Sequence, residues 1–451
     1  MSETETAPQT SSVDREFDSR PFYRKKRVWF GGIAAVMASL GAFVFWNSWV
    51  NTSLKDELRA NGMPTNSKEL DAWYQVSEDQ TDVTDRWVPV IKQVEELKLE
   101  EHAEELPFLG TGERPPLPGE EWNELESAEE FLAEMQTPIV AAWKASEVGG
   151  VARYPVDLSK GINADLSICQ DSRKITRLLR LDAWVAAHRG DHDRVARDIQ
   201  AMLALAHTFS NEPILISSLI QFAHHSMACE SLGSFLSKAS WSDEQMASLQ
   251  EELIRTDARR TLRMGFIGER AGCLDMLTLL MLGPTRATNE REMLRFFSAA
   301  VAASESSWLD LFEMADSFNA RVMRMARSTW SRITHMGVMQ LMPAIKQASV
   351  VAARTESERH CFIVVLAVKR HLLAGGAVPG SLDAIPEQYF PEGAREKLRD
   401  PFSGKALLLT RDGERLIVYS IGEDFNDDGG AVDDAKNGGR SIDVGAAIEV
   451  P

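Results

Sequence analysis

The stretch ITRLLRLDAWVAAHRGDHDRVARDIQAMLALAHTF, residues 175–209, carries two helical periods separated by one glycine. Ile175, Leu178, Leu181 and Val185 fall on one face of a 3.6-residue repeat. Arg189-Gly190-Asp191 interrupts it, and Val195, Ile199, Met202, Ala206 and Phe209 resume it at spacings of four, three, four and three. A chain written this way predicts two antiparallel helices closed by a glycine turn. The same periodicity extends from about Trp122 to Ala374, so the fold class is mainly α, a multi-helix bundle of antiparallel hairpins. Ser242 and Gln245 have capping-box spacing, with Trp241 placed to staple onto Met246. Gly283-Pro284 is expected to stop one helix. A long helix is expected over 344–374, ended by Gly375-Gly376. No 34-residue repeat supports a regular solenoid.

Toward the N-terminus, residues 28–50 hold 23 positions without a charged side chain. As a helix this run covers about 34 Å, enough to cross a hydrocarbon core. Arg24-Lys25-Lys26-Arg27 precedes it, whereas Lys55 and Arg59 beyond it are offset by Asp56 and Glu57. That asymmetry predicts a cytoplasmic tail (1–27), a transmembrane helix (28–50) and an extracytoplasmic bulk. Trp29, Phe30, Trp46 and Trp49 suit the two interfaces, and no cleavage site of the A-x-A type follows the run. The expected location is the inner, cytoplasmic membrane, single-pass, with the bilayer as partner of 28–50.

The exported part divides into a juxtamembrane helical segment (51–106), a Pro/Gly linker (107–119), a helical domain (120–376) and a small β unit (377–451). The linker reading rests on four prolines and three glycines in PFLGTGERPPLPG. In the β unit, Lys405–Thr410 and Arg415–Ser420 flank an Asp412-Gly413 turn signal, which predicts a β-hairpin. Segments 441–444 and 447–450 are candidate additional strands, and the unit is expected to pack on the preceding long helix.

Composition narrows function. The net charge is −18, and residues 1–27 are slightly basic, so the exported part is strongly acidic. Such a surface repels phosphate backbones and excludes nucleic acid as a partner class. No G-x-S-x-G elbow, Walker loop, HExxH or dinucleotide fingerprint occurs. Cys169, Cys229, Cys273 and Cys361 lie in apolar helical surroundings and read as buried thiols, although an oxidising compartment would permit pairing. His224 and His225 read as core groups. Glu269-Arg270 reads as a buried ion pair, or else as a polar site lining a cavity.

The most specific local signal is SIGEDFNDDGG, residues 420–430. Asp424, Asn426 and Asp428 alternate and Gly429 follows, as in the first half of a calcium loop. Ala435 stands where the bidentate glutamate belongs, with Asp433 and Asp434 as substitutes, so Ca²⁺ is the expected ion.

Asp400-Pro401-Phe402-Ser403-Gly404, the hairpin, Ser420-Ile421-Gly422 with Asp424, and Gly429-Gly430 together resemble the C-terminal region of type II secretion major pseudopilins. The resemblance covers about residues 360–451. It implies a calcium-binding loop in which the Ile421 carbonyl and the Asp424 carboxylate are ligands, while the later acidic ligands do not align because this loop is longer. The whole chain also resembles large single-pass bacterial envelope proteins of unknown function that share such a tail. Arg27-Val28-Trp29-Phe30-Gly31 lacks the prepilin-peptidase site and the helix glutamate of that family, which argues against processing and polymerisation as a pilin. The expected function is a non-enzymatic, membrane-anchored scaffold or interaction protein of the envelope with a calcium-stabilised tail, engaging other envelope or secretion proteins. An extracytoplasmic hydrolase with its site in the helical domain is the competing expectation, and a peptide-binding module using the hairpins is a third. A deep polar cavity at Glu269 and Arg270 would favour the enzyme.

Overall fold

The computed structural model describes residues 22–96, 105–281, 283–432 and 443–450. Helix α1 (Phe22–Ala60) is followed by α2 (Ser67–Trp73) and α3 (Thr84–Glu96). The bundle continues with α4 (Leu125–Glu134), α5 (Gln136–Ser146), α6 (Ser167–His188), α7 (His192–Thr208), α8 (Leu215–Phe235) and α9 (Asp243–Arg255). It closes with α10 (Ala258–Leu280), α11 (Gly283–Ser306), α12 (Trp308–Met325), α13 (Thr329–Thr334) and α14 (Met336–Leu373). The mainly helical expectation holds.

The α6–α7 hairpin has the predicted form. Gly190 takes φ +74°, and Asp191 caps α7 by accepting from the Arg194 amide at 3.1 Å. The capping box at Ser242 and Gln245 is formed. Helix α10 stops at Leu280, and Pro284 enters the first turn of α11, where a missing N–H costs nothing. Helix α14 starts at Met336, earlier than the expected 344, and ends on Gly375 at φ +81°.

Three antiparallel strands, β1 (Leu408–Asp412), β2 (Arg415–Ser420) and β3 (Val444–Glu449), pair in the order β1-β2-β3. The register sets Asp412 opposite Arg415, so the turn is Gly413-Glu414, one residue later than the Asp-Gly signal suggests. The two short candidate strands are one, and Val444 faces Ser420. The sheet lies on α14, where Ser357 Oγ meets Ser420 Oγ at 3.1 Å. One apolar core runs without a break from Leu70 in α2 to Val450. Leu106 and Leu109 enter it, so the Pro/Gly segment is irregular in backbone yet packed, with Phe108 against Trp184.

Among the described residues no helix is long and apolar enough to cross a membrane. The side chains of 28–36, 40, 43 and 44, the greater part of the expected span, lie outside the described residues, as does the acidic run beyond Glu96. Those described in the span include Phe45, Trp46 and Trp49, each more than half exposed. Beyond it α1 docks on α11: Asn51 Nδ2 donates to the Ala287 carbonyl at 2.8 Å and to Glu290 Oε2 at 3.2 Å, and Lys55 pairs with Glu290.

Candidate functional site: an apolar cavity beside α10

Helix α10 carries Gly265, Gly268 and Gly272 at spacings of three and four, which brings them to one face. The first two permit close packing. A Cβ on Gly268 would stand 1.5 Å from the Pro213 carbonyl oxygen, and one on Gly265 would stand 2.9 Å from Ser218 Oγ. At Gly272 the neighbouring chain falls away, and a Cβ there would meet nothing within 4 Å. The space so left is a cavity of about 370 Å³ walled by α2, α10, the start of α8 and the 158–166 segment. Leu70, Leu158, Leu166, Ile214 and Met276 make the wall chiefly apolar.

Three polar side chains reach it. Burial raises the carboxyl pKa of Glu269, partly countered by a hydrogen bond from the Leu215 amide. Burial likewise pushes the Cys273 thiol up, so it is no nucleophile at neutral pH. Ser67 is 3% exposed, and its Oγ has no hydrogen-bond partner. Its amide is used, donating to Asp275 Oδ2 at 2.7 Å.

A shallower groove of about 210 Å³ shares Ser67, Gly161, Ile162, Gly272 and Met276 with the cavity. It adds polar groups at Ser159, Lys160 and Asp275 and ends at Leu279, which is 73% exposed. Ile162 and Ile216 on the cavity wall are also exposed. The combination is an apolar interior, a polar approach and an apolar rim, which suits an amphiphile.

The ion-pair reading of Glu269 and Arg270 is corrected. Adjacent helical residues point about 100° apart. Glu269 faces the cavity, whereas Arg270 is buried and, among the described residues, reaches only the Pro64 carbonyl, at 3.5 Å, with its Nε unpartnered. Burial and nearby Arg263 lower its pKa to about 10. The cavity is apolar, not the deep polar one that would favour an enzyme.

In the acidic loop, Asp424, Asn426 and Asp428 are solvent-exposed and Ile421 is half-buried; Asp433 and Asp434 lie outside the described residues. Asp424 Oδ1 accepts from the Asn426 amide at 3.1 Å, and Asp427 binds the Tyr419 hydroxyl at 2.9 Å. The carboxylate that organises the loop is Asp443, fully buried, which accepts from the amides of Asp428, Gly430 and Ala431. Among the described residues no group of three or more His, Cys, Asp or Glu is placed to hold a metal ion. Nothing near the loop in sequence announces Asp443, since it returns with β3.

The histidine and cysteine expectations agree with the structure. His224 is enclosed between Ser172 Oγ (2.9 Å) and Thr176 Oγ1 (2.7 Å), and burial lowers its pKa to about 3. All four cysteines are buried free thiols. Of this cavity's lining, sequence reasoning reaches Glu269 and Cys273 and misses the rest, Ser67 and Gly272 among them; the glycine spacing along α10 is the available signal for Gly272.

No family profile, curated protein or solved structure matches the chain.

Proposed function

We propose that the chain is a membrane-anchored extracytoplasmic binding protein that accepts the acyl chain of a membrane amphiphile in the cavity beside Glu269. The observation that carries the reading is the path from that cavity through the polar groove to exposed Leu279 at the tip of the α10–α11 hairpin. The tip is next to the anchor. Gly283 precedes Ala287 by four residues, about 6 Å of helix, and Ala287 holds Asn51 just past the apolar run. With 28–50 in the bilayer, Leu279 meets the interface, where an exposed apolar side chain is favourable. The headgroup then occupies the groove near Lys160 and Asp275, and the chain extends past Gly272 toward Ser67 and Glu269.

The test uses the full-length protein in bilayer discs containing a phospholipid with a photoactivatable acyl chain. Cross-links are expected on peptides covering 268–279 and 158–166, and Gly272→Met, which fills the open space, should remove most of them. Labelling confined to α1, or unchanged labelling in Gly272→Met, would sink the reading. Protection of Lys160 from a membrane-impermeant amine reagent in sealed spheroplasts would separately refute the topology.

The calcium loop and the pseudopilin-like tail form a separate proposal, supported by the solvent exposure of Asp424, Asn426 and Asp428 at alternate positions. Calcium should raise the melting temperature of the chain, and Asp424→Ala should abolish that rise; no calcium heat in calorimetry refutes it.

A further inference from the structure

A second cavity, of about 590 Å³, lies where the helical bundle meets the chain leading into the sheet. Its walls are the start of α10, the start of α12, the middle of α14 and residues 397–404. Arg259, Arg359, Lys397 and Arg399 line it, together with His360. In a chain of net charge −18 this is an unusual concentration of cations.

The carboxylates at the same wall are already occupied. Asp257 caps α10 by accepting from the Arg260 amide at 2.9 Å. Glu356 accepts from the Ala258 amide at 3.1 Å and pairs with Arg359 (2.6 Å) and His360 (3.2 Å). Asp400 takes hydrogen bonds from the Phe402 and Ile421 amides and the Ser403 and Ser420 hydroxyls. Of the four cations, Arg359 is held by Glu356 and by the Leu253 carbonyl, and the other three are not so consumed. Arg259 reaches the Ser306 carbonyl and Arg399 the Glu396 carbonyl. Among the described residues, Arg259, Lys397 and Arg399 have no carboxylate within ion-pair distance. Arg359 is 3% exposed, and its Nε has no partner.

Helix α12, capped by the neutral Ser307, also begins at this wall and adds to the positive potential, whereas the start of α10 is already met by Asp257 and Glu356. Aligned peptide dipoles give each start a partial positive charge. Arginine presents a planar fork that matches tetrahedral oxyanions, and lysine adds a point charge. We infer that this cavity binds a small phosphorylated molecule, with Lys397, Arg399 and Arg259 contacting the phosphate. The volume is sufficient for more than inorganic phosphate. The inference does not depend on the acyl-chain reading, because the two cavities share no lining residue.

The test is calorimetric titration of the full-length protein in non-ionic detergent with inorganic phosphate, pyrophosphate and citrate at constant ionic strength. Saturable binding is expected for pyrophosphate, tighter than for phosphate. Lys397→Gln and Arg399→Gln, both at exposed positions that should leave the fold intact, should each weaken it about tenfold. Arg189→Gln, at the distant α6–α7 turn, should leave it unchanged. Absence of saturable heat with pyrophosphate, equal weakening in Arg189→Gln, or tighter binding of citrate than of pyrophosphate would each overturn the assignment.

Discussion

Asn51 donates its side-chain amide to the Ala287 carbonyl at 2.8 Å, across 236 residues of sequence, and this contact fixes α1 against α11. The bond matters because both groups are buried: Asn51 is 2% exposed and Ala287 7%. Replacing it removes a second donor from the helical Ala287 carbonyl and a donor from Glu290. Asn51→Leu should therefore lower stability by about 2 kcal/mol, two buried hydrogen bonds at about 1 kcal/mol net each. Thermal unfolding in detergent measures this. A melting temperature equal to that of the unaltered chain would show that α1 is held by its apolar contacts alone.

Gly268 and Gly272 lie one turn apart on α10 and should respond oppositely to the same substitution. Gly268→Ala drives a methyl group into the Pro213 carbonyl, an overlap that no rotamer relieves, and should cost about 3 kcal/mol. Gly272→Ala meets open space and replaces the poorest ordinary helix former by the best, for a gain of up to about 1 kcal/mol. Denaturant midpoints of the two variants check the contrast. Equal effects would mean that α10 does not approach the 213–214 backbone as described.

These two glycines also show how far the sequence could be read. Their spacing on one helical face was visible, but whether a neighbour presses on each is a tertiary fact. The α6–α7 hairpin, the Ser242 cap and the β1–β2 pairing were legible because each is determined by residues a few positions apart. Asp443 was not, because it organises the loop from 13 and 15 residues beyond Gly430 and Asp428. Adjacency leaves Glu269 and Arg270 open as an ion pair or as a polar site lining a cavity; helix geometry separates the neighbours, and Glu269 alone of the two lines the cavity. The cavity itself has no sequence signature, since its wall is assembled from segments as distant as Ser67 and Met276.

Asp400 accepts four hydrogen bonds and ties the Asp400–Gly404 turn to the end of β2. It is 1% exposed. Beside it Phe402 stacks on Phe312 of α12 at 5.5 Å, so the turn also joins the bundle. Asp400→Ala leaves two amides and two hydroxyls without their acceptor and should cost about 3 kcal/mol. Hydrogen exchange should show the loss first in β1 and β2 rather than in α6–α8. Uniform acceleration across the whole chain would instead show that the sheet and bundle unfold only together.

Glu212 gives a pH dependence with a definite sign. It is completely buried, which raises its carboxyl pKa to about 7, while the hydrogen bond from the Tyr74 hydroxyl works in the opposite direction. In the unfolded chain the same group titrates near the ordinary glutamate value, about 4.3. Between those two values the unfolded chain has released the proton and the folded chain still holds it. Rising pH therefore favours unfolding: the stability present below about pH 4 declines through the window and levels off above about 7. The full loss is of the order of 4 kcal/mol, since each tenfold difference in proton affinity between the folded and unfolded chain is worth about 1.4 kcal/mol. Glu212→Gln keeps a neutral acceptor for Tyr74 and removes the titrating group, so its stability should gain on that of the unaltered chain as pH rises through this window, while the opposite slope from buried His224 is common to both. Chemical denaturation at half-unit steps from pH 4.5 to 8 provides the comparison. Identical slopes for the two proteins would show that Glu212 is already ionised when folded and that Tyr74 stabilises the charge.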